Sequence, residues 1–471
     1  MGSNWFGKTK NEPLPIRRIE VDSIRRVLRY EEKPAKKQKN IIQYGLIVII
    51  AVGLLFNLGY FGTVGAAAVK SKAEALKIFK QGNYLVIFQN NAEMRPTGGF
   101  IGSFAIISFK DYKISNIDFN TNIYKLDNAF TKVTQVVPPE PLANVSQGKW
   151  SLRDSNFAVD YPTATKDIEW FYLQETGKKV DGVIAVNASL VSDLLKLTGP
   201  IYLEKYQTTI TTDNFFSELT QKIEKEYFTN SANIAENEPK TILKDMMPIL
   251  LEKTLKLPKY DLAKFAYDAL SRKQVLLESN NDVIQRAVLA NNWGGEILAT
   301  DSDYLMVNNA NITDQTQIKE NIKDSGAKTS LSVKESIDYK VENGLEGLTG
   351  DLTVTRSHNG DYEWPDGINI NYSKILVPQG SVLVKAELNG QDITEKIEVG
   401  DEAGKTTFST WVNTAPQTSN VLNLVYKLPI SNINYHLLAE SQPGNTGDEL
   451  NVIYGSKVLF NGLFDRDKTI R

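Results

Sequence analysis

Along this chain apolar residues cluster in continuous runs in the first two thirds and alternate with polar ones in the last third. The longest apolar run is residues 40–69, NIIQYGLIVIIAVGLLFNLGYFGTVGAAAV, without Asp, Glu, Lys or Arg. About 20 such residues cross the bilayer hydrocarbon as a helix, so the pattern predicts one N-terminal transmembrane helix over 40–69. A cleaved signal peptide is the rival reading; it suits a run that starts so far into the chain less well. Residues 70–80 continue as a helical stalk. Tyr84–Phe88 and Phe100–Phe109 are near-continuous apolar runs of the kind that covered strands show, and Val180–Val186 is a third. A helix is predicted over 162–176, with Pro162 at an early position and Gly177 as its stop. Asn187 is placed to cap the next helix, which Gly199–Pro200 ends. Further helices are predicted over 211–230, 241–256 and, as a pair, 261–290. Strand and helix in alternation give a layered α/β domain over about 70–310.

Near residue 330 the period becomes two. LSVKESIDYKV, DLTVTRS, INYSKILVP, SVLVKAEL, KTTFSTWVN and NVLNLVYKLP are short alternating runs separated by turn residues. That is the signature of an all-β sandwich. The expected organisation is a cytoplasmic basic tail (1–39), the transmembrane helix (40–69), an extracellular α/β domain (70–325) and a β-sandwich-like domain (326–471).

Charge supports that topology. Residues 1–39 hold 11 Lys/Arg against 5 Asp/Glu, a net of +6, and the whole-chain −3 leaves −9 for residues 40–471. A basic segment before an apolar helix stays on the cytoplasmic side, so the bulk of the chain is expected outside a cell membrane as a single-pass protein. The outer part has no basic block, which argues against nucleic acid as a partner. The chain has no Cys and two His, His358 and His436. Disulfides, thiolate metal sites and a histidine-rich zinc centre are thereby excluded; oxygen-ligand sites for magnesium or calcium are not.

Two polar constellations are candidates for chemistry. The first is Gln89-Asn90-Asn91-Ala92-Glu93-Met94-Arg95-Pro96-Thr97-Gly98-Gly99-Phe100, expected as a loop at the C-terminal end of a buried strand. In open α/β sheets that edge is the usual ligand crevice. Arg95 offers a fork suited to phosphate or carboxylate, and Gly98 and Gly99 offer exposed amides for an anion. The alternative is a structural loop in which Arg95 pairs with a carboxylate. The second is Trp150–Pro162. Asp154 and Asp160 are candidate ligands for a divalent cation, with Asn156 as a neutral donor and Arg153 beside them for a phosphate. The alternative is that Asp160 caps the helix at Pro162 and Arg153 makes a buried ion pair. Asp181, Trp293 and His358 are read as turn, packing and loop residues, and no Ser-His-Asp order is present.

FQNNAEMRPTGGFIGSFA (88–105), RDSNFAVDYPTA (153–164), VDGVIAVNASLVSDLLKLTGPI (180–201) and YSKILVPQGSVL (372–383) together resemble the DUF4012 family, bacterial membrane-anchored proteins without an established activity. More distantly, SLRD at 151–154 and the strand–helix segment 180–201 are similar to the LytR-CpsA-Psr phosphotransferases, which move glycopolymers from polyprenyl-pyrophosphate carriers to cell-wall acceptors. That resemblance implies a LytR-CpsA-Psr-like α/β fold. It also implies Arg95 and Arg153 on the diphosphate with Gly98 and Gly99, Asp154 in catalysis, and magnesium on Asp154 and Asp160. The implied function is a cell-envelope protein that binds a polyprenyl-pyrophosphate-linked glycopolymer and transfers it to a cell-wall acceptor. Its partners would be membrane lipid and cell-wall glycan or envelope protein. The alternative is a non-catalytic extracellular binding or scaffolding protein. An apolar tunnel beside Arg95 favours the first; Arg95 and Arg153 tied up in ion pairs favour the second.

Overall fold

The computed structural model describes residues 66–471 other than 121, 144, 147, 230–240, 313–327, 346 and 432–433. After helix α1 (Ala66–Ala75) the chain builds a five-stranded sheet from strands β1 (Gln81–Arg95), β2 (Gly98–Lys110), β3 (Lys113–Asn120), β4 (Val183–Asn187) and, past the small hairpin β5 (Ile201–Leu203) and β6 (Thr208–Ile210), β7 (Val275–Leu277). The order is β3-β2-β1-β4-β7. Only β1 and β4 run parallel, Leu85 opposite Val183 through Gln89 opposite Asn187. Side chains alternate along β1 with the strand period of two. Tyr84 and Val86 face one buried cluster, Leu85 and Ile87 another, and so the run reads as continuously apolar.

Helices cover both faces. On the Leu85–Ile87 side lie α2 (Ile123–Thr131) and α3 (Tyr161–Thr176). On the other lie α1, α4 (Ser189–Thr198), the short α5 (Phe215–Thr220), α6 (Thr241–Leu255), α7 (Lys259–Ser271) and α8 (Asp282–Leu289). Local signals set the ends. The Asp160 carboxylate accepts the Thr163 N–H at 3.0 Å, and Gly177 at φ +68° stops α3.

From residue 303 the described part of the chain is built mainly of strands. A six-stranded sheet runs in the order β14 (Glu398–Glu402), β15 (Lys405–Trp411), β11 (Asn371–Pro378), β8 (Asp303–Asn311), β17 (Leu437–Ala439), β20 (Lys468–Ile470). A seven-stranded sheet packs on it in the order β13 (Gln391–Asp392), β12 (Val382–Leu388), β16 (Ser419–Leu428), β10 (Gly347–His358), β9 (Val333–Gly344), β18 (Asp448–Tyr454), β19 (Lys457–Phe464). Ile337, Tyr339 and Val341 of β9 meet Leu305, Val307, Ile375 and Phe408 between the sheets. β8 is buried along its whole length. Leu305 and Val307 point into the sandwich. Tyr304 and Met306 join Val159 from the α/β side, and Ala310 joins the cluster around Phe171. One sheet therefore serves two cores.

Three expectations need correction. The predicted fold class, a LytR-CpsA-Psr-like α/β layer followed by a sandwich and headed by a transmembrane helix, gives way to a mixed α/β architecture with open sheets that share a buried seam. Among the described residues no helix is long and apolar enough to cross a membrane. Residues 40–65 of the expected span, and the basic tail, lie outside the described residues. The membrane helix and the single-pass, extracellular localisation built on it are therefore withdrawn. The polar stretch 89–99 is not a loop: β1 and β2 pair as far as Arg95 opposite Gly98, with irregularities after Phe88 and Asn90. Asn91 and Arg95 can stay in a strand because Gly444 and Asn311 of the β region supply their partners, while Gln89 and Asn90 bond within the hairpin.

Candidate functional site

The C-terminal ends of β1 and β4 carry Gln89, Asn91 and Asn187, 0–1% exposed. In an open α/β sheet this edge is where a ligand crevice opens. Here the space is taken by the buried loop Glu440–Asn445, which links β17 to β18. Asn91 Nδ2 donates to the Gly444 carbonyl at 2.9 Å, and Gln274 Nε2 donates to the Asn445 carbonyl at 2.7 Å. Gln442 Nε2 donates to the carbonyls of Arg95 and Asn309 at 2.9 and 2.8 Å. A buried loop is tolerable only when its backbone groups find partners; Asn91 and Gln274 provide them for Gly444 and Asn445, and Gln442 anchors the loop in return. Asn91 also caps α4 from a distance, its Oδ1 accepting the Ser189 N–H at 3.1 Å. Asn187 does not make the cap expected of it; its Nδ2 donates to the Lys273 carbonyl at 3.3 Å.

The glycine pair follows from the same crowding. Gly98 has φ +135°, and a Cβ there would lie 2.2 Å from Gln89 Oε1 and 2.3 Å from Asn187 Oδ1. A Cβ on Gly99 would lie 2.2 Å from the Asn90 carbonyl carbon. The Gly99 N–H points to Gln89 Oε1 at 3.4 Å, so that amide is used within the protein.

The structure does bring the two sequence constellations together. Arg95, 6% exposed, donates through Nη1 to the Asn311 carbonyl at 2.5 Å and through Nη2 to Asp154 Oδ1 at 3.3 Å. Its guanidinium lies 5.4 Å from the Phe100 ring centre. Asp154 is shared: Arg153 Nε is 3.4 Å from its Oδ2 and 3.7 Å from Asp127 Oδ2. Arg153 also lies over Tyr124, 5.1 Å from the ring centre. Asn156 Nδ2 donates to the Gly99 carbonyl at 2.9 Å. Asp160 stands apart, with Oδ2 on Thr163 and Oδ1 on the Ile297 N–H at 3.1 Å. Among the described residues no three His, Asp or Glu side chains are grouped to hold a metal ion.

Beneath Arg153, Asp127 and Glu175 are both buried. Burial pushes Asp127 up to about 7 despite the opposing charge of Arg153. Burial, and then the Asp127 charge, raise Glu175 further. Glu175 Oε1 accepts the Leu152 N–H at 3.1 Å, which holds the turn 152–154 in place.

On the other flank Lys273 is buried at φ +52°. Its Nζ is 2.9 Å from both Glu440 Oε1 and Asp467 Oδ1. Burial alone would lower this ammonium's pKa; the two carboxylates reverse that and raise it. Glu440 Oε2 also accepts the Tyr304 hydroxyl and the Leu298 N–H at 2.7 and 2.8 Å. Sequence reading missed Lys273, Gln274, Glu440, Gln442, Gly444 and Asn445. The segment ESQPGNTG reads as an ordinary surface turn, and nothing within it signals burial.

A family model described as "Protein of unknown function (DUF4012)" matches residues 80–223, a region that contains the crevice edge and both arginines. The more distant resemblance to LytR-CpsA-Psr phosphotransferases finds no support in that match. No curated protein matches the chain. Among solved structures, a putative nutrient binding protein from Legionella pneumophila is similar over 26% of this chain and 50% of its own, at 9% identity and TM-score 0.19. An aminopeptidase A of Legionella pneumophila in complex with aspartic acid is similar over 26% and 16%, at 11% identity and TM-score 0.17. An M1 zinc metallopeptidase from Deinococcus radiodurans is similar over 30% and 38%, at 15% identity and TM-score 0.17. The matches span half or less of each of those chains, and at such scores they carry no inference about fold or activity.

Proposed function

We propose that the protein works by binding or scaffolding rather than by catalysis. One observation carries the reading: the sheet edge where a ligand crevice would open is filled by the protein's own Glu440–Asn445 loop, held by Asn91, Gln274 and Gln442. The arginines fit the same view. A diphosphate on Arg95 would have to displace Asp154 and the Asn311 carbonyl from a buried guanidinium. Removing one partner from a buried charge pair is strongly unfavourable. The expected glycopolymer transfer thus finds both terminal nitrogens of Arg95 and the Gly99 amide already engaged, with the buried Nε–H as the unpartnered donor of that guanidinium. A glycan or protein partner would meet the outer surfaces instead.

The test is calorimetric titration of the full chain with a short-chain polyprenyl diphosphate and magnesium, alongside a transfer assay with a glycan acceptor. Flat titrations and no transfer are expected. Saturable diphosphate binding that Arg153→Ala abolishes would overturn the reading and restore the transferase.

A further inference from the structure

Lys273, Glu440 and Asp467 meet at one point from three places in the chain. Lys273 lies between α7 and β7, Glu440 directly follows β17, and Asp467 stands in the turn between β19 and β20. Lys273 Nζ is 2.9 Å from Glu440 Oε1 and 2.9 Å from Asp467 Oδ1. The Lys273 and Glu440 side chains are 3% and 0% exposed, and that of Asp467 is 12% exposed. Lys273 is held there at φ +52°. A lysine seldom adopts that backbone region, and it persists only where the surroundings impose it.

The two acids are fixed from behind as well. Asp467 Oδ2 accepts Asn292 Nδ2 at 2.6 Å, and Oδ1 accepts the Ser441 N–H at 3.0 Å. Glu440 Oε2 is occupied by the Tyr304 hydroxyl and the Leu298 N–H, which leaves Oε1 to face Nζ. The Asp467 carboxyl carbon is therefore one bond beyond a 2.9 Å contact with an amine nitrogen. Bound groups held this close and in fixed orientation react far faster than free ones. Burial also disfavours each of the three charges. An amide between Nζ and Cγ removes two of them and leaves Glu440 with its two donors.

We propose that this triad forms an intramolecular amide bond between Lys273 Nζ and Asp467 Cγ, with Glu440 as the base. The ion triad is the state before the bond. Nζ passes one proton to Asp467 Oδ1 across their contact and becomes a neutral amine. It attacks Cγ, and negative charge moves onto Oδ2, where Asn292 Nδ2 stabilises it. Glu440 Oε1 takes a second proton from Nζ and gives it to Oδ1, which departs as water by the partly exposed flank of Asp467. One Nζ–Cγ bond forms and one Cγ–Oδ1 bond breaks. Two of the three ammonium protons leave in the water, and Glu440 ends as the carboxylate it was. In a chain without cysteine, such a bond ties the α/β region to the end of the β region and restricts the unfolded chain as a disulfide would.

The test is the mass of the full chain, denatured before the measurement. The main wild-type species should be one water lighter than its sequence requires. Trypsin should no longer cut after Lys273, and the Lys273 peptide should carry the Asp467 fragment as a branch. Lys273→Arg keeps a cation that cannot form the amide, and Glu440→Gln keeps the shape of the site without its base. Each should show the full mass of its own sequence. A wild-type chain of full mass would overturn the proposal. So would a lost water with no branched peptide, as from a cyclic imide at Asp366–Gly367. A Glu440→Gln chain that still carries the branch would refute the role of Glu440. If either variant does not fold, the wild-type mass and the branched peptide decide.

Discussion

Gly444 sits where the β-region loop touches the α/β sheet, and replacing it with alanine measures whether that contact exists in solution. Its φ is +79°, and an added Cβ would lie 2.9 Å from Gly98 Cα, 3.2 Å from the Gly98 carbonyl carbon and 3.2 Å from Asn187 Oδ1. Two costs follow. An L-residue in the left-handed region costs about 1–2 kcal/mol. Backbone atoms that cannot rotate away add an overpacking cost of about 1–3 kcal/mol. Gly404 separates the two. It has φ +72° with nothing within 4 Å of an added Cβ, so Gly404→Ala carries the backbone cost alone. Gly444→Ala should therefore be less stable than Gly404→Ala by about 1–3 kcal/mol. Equilibrium urea unfolding, followed by far-ultraviolet circular dichroism and tryptophan fluorescence, gives the difference from the midpoints and slopes. If the two variants differ by less than about 0.5 kcal/mol, well under the overpacking cost, the loop is not seated on Gly98. The sheet edge would then be open, and the non-catalytic reading would lose the observation it stands on.

Lys273→Met removes the cation between the buried Glu440 and the part-buried Asp467 and leaves the Glu440 charge without a counter-ion. It should cost about 3–5 kcal/mol in the same unfolding experiment, and a loss under about 1 kcal/mol, in the range of an exposed pair, would rule out a buried clamp. Asp160→Ala loses the α3 cap and leaves the Ile297 N–H without its acceptor. A loss of about 1–3 kcal/mol is expected, with magnesium making no difference to the melting temperature of wild type or variant; a magnesium-dependent rise seen only in wild type would reinstate Asp160 as a ligand. Burial raises Asp127, Glu278 and Glu296 to about 7 and Asp303 to about 6. These acids bind more protons folded than unfolded, so the stability they contribute is full near pH 4 and is lost as pH rises through 6 and 7. The melting temperature should accordingly fall between pH 5.5 and pH 8, and a rise over that interval would contradict the assignment.

What sequence could reveal here was set by how far each signal reaches. The α3 ends were legible because Asp160, Pro162 and Gly177 act within one turn of where they stand. The covered strands at 84–88 and, of the expected 180–186, the part from Val183 onward were legible because burial on both faces leaves no polar position there. The strand character of 89–95 was not. Asn91 and Arg95 are compatible with a buried strand only because Gly444, Asn311 and Gln442, more than 200 residues later, bring the matching groups, whereas Gln89 turns back on Thr97 and Gly99. The glycine pair misled for the same reason. Gly98–Gly99 suggested amides open to an anion, whereas both glycines are small because side chains and backbone press against them. Arg95, Arg153 and Asp154 were found by residue type, and they do meet. Their charge balance decides what they do, and it depends on Asp127 and Glu175, which carry no local motif. An arginine beside an aspartate in sequence thus marks a charged cluster without saying whether it faces a ligand or closes on itself. In this chain Arg95 is held at the seam between the sheets by the Asn311 carbonyl and Asp154.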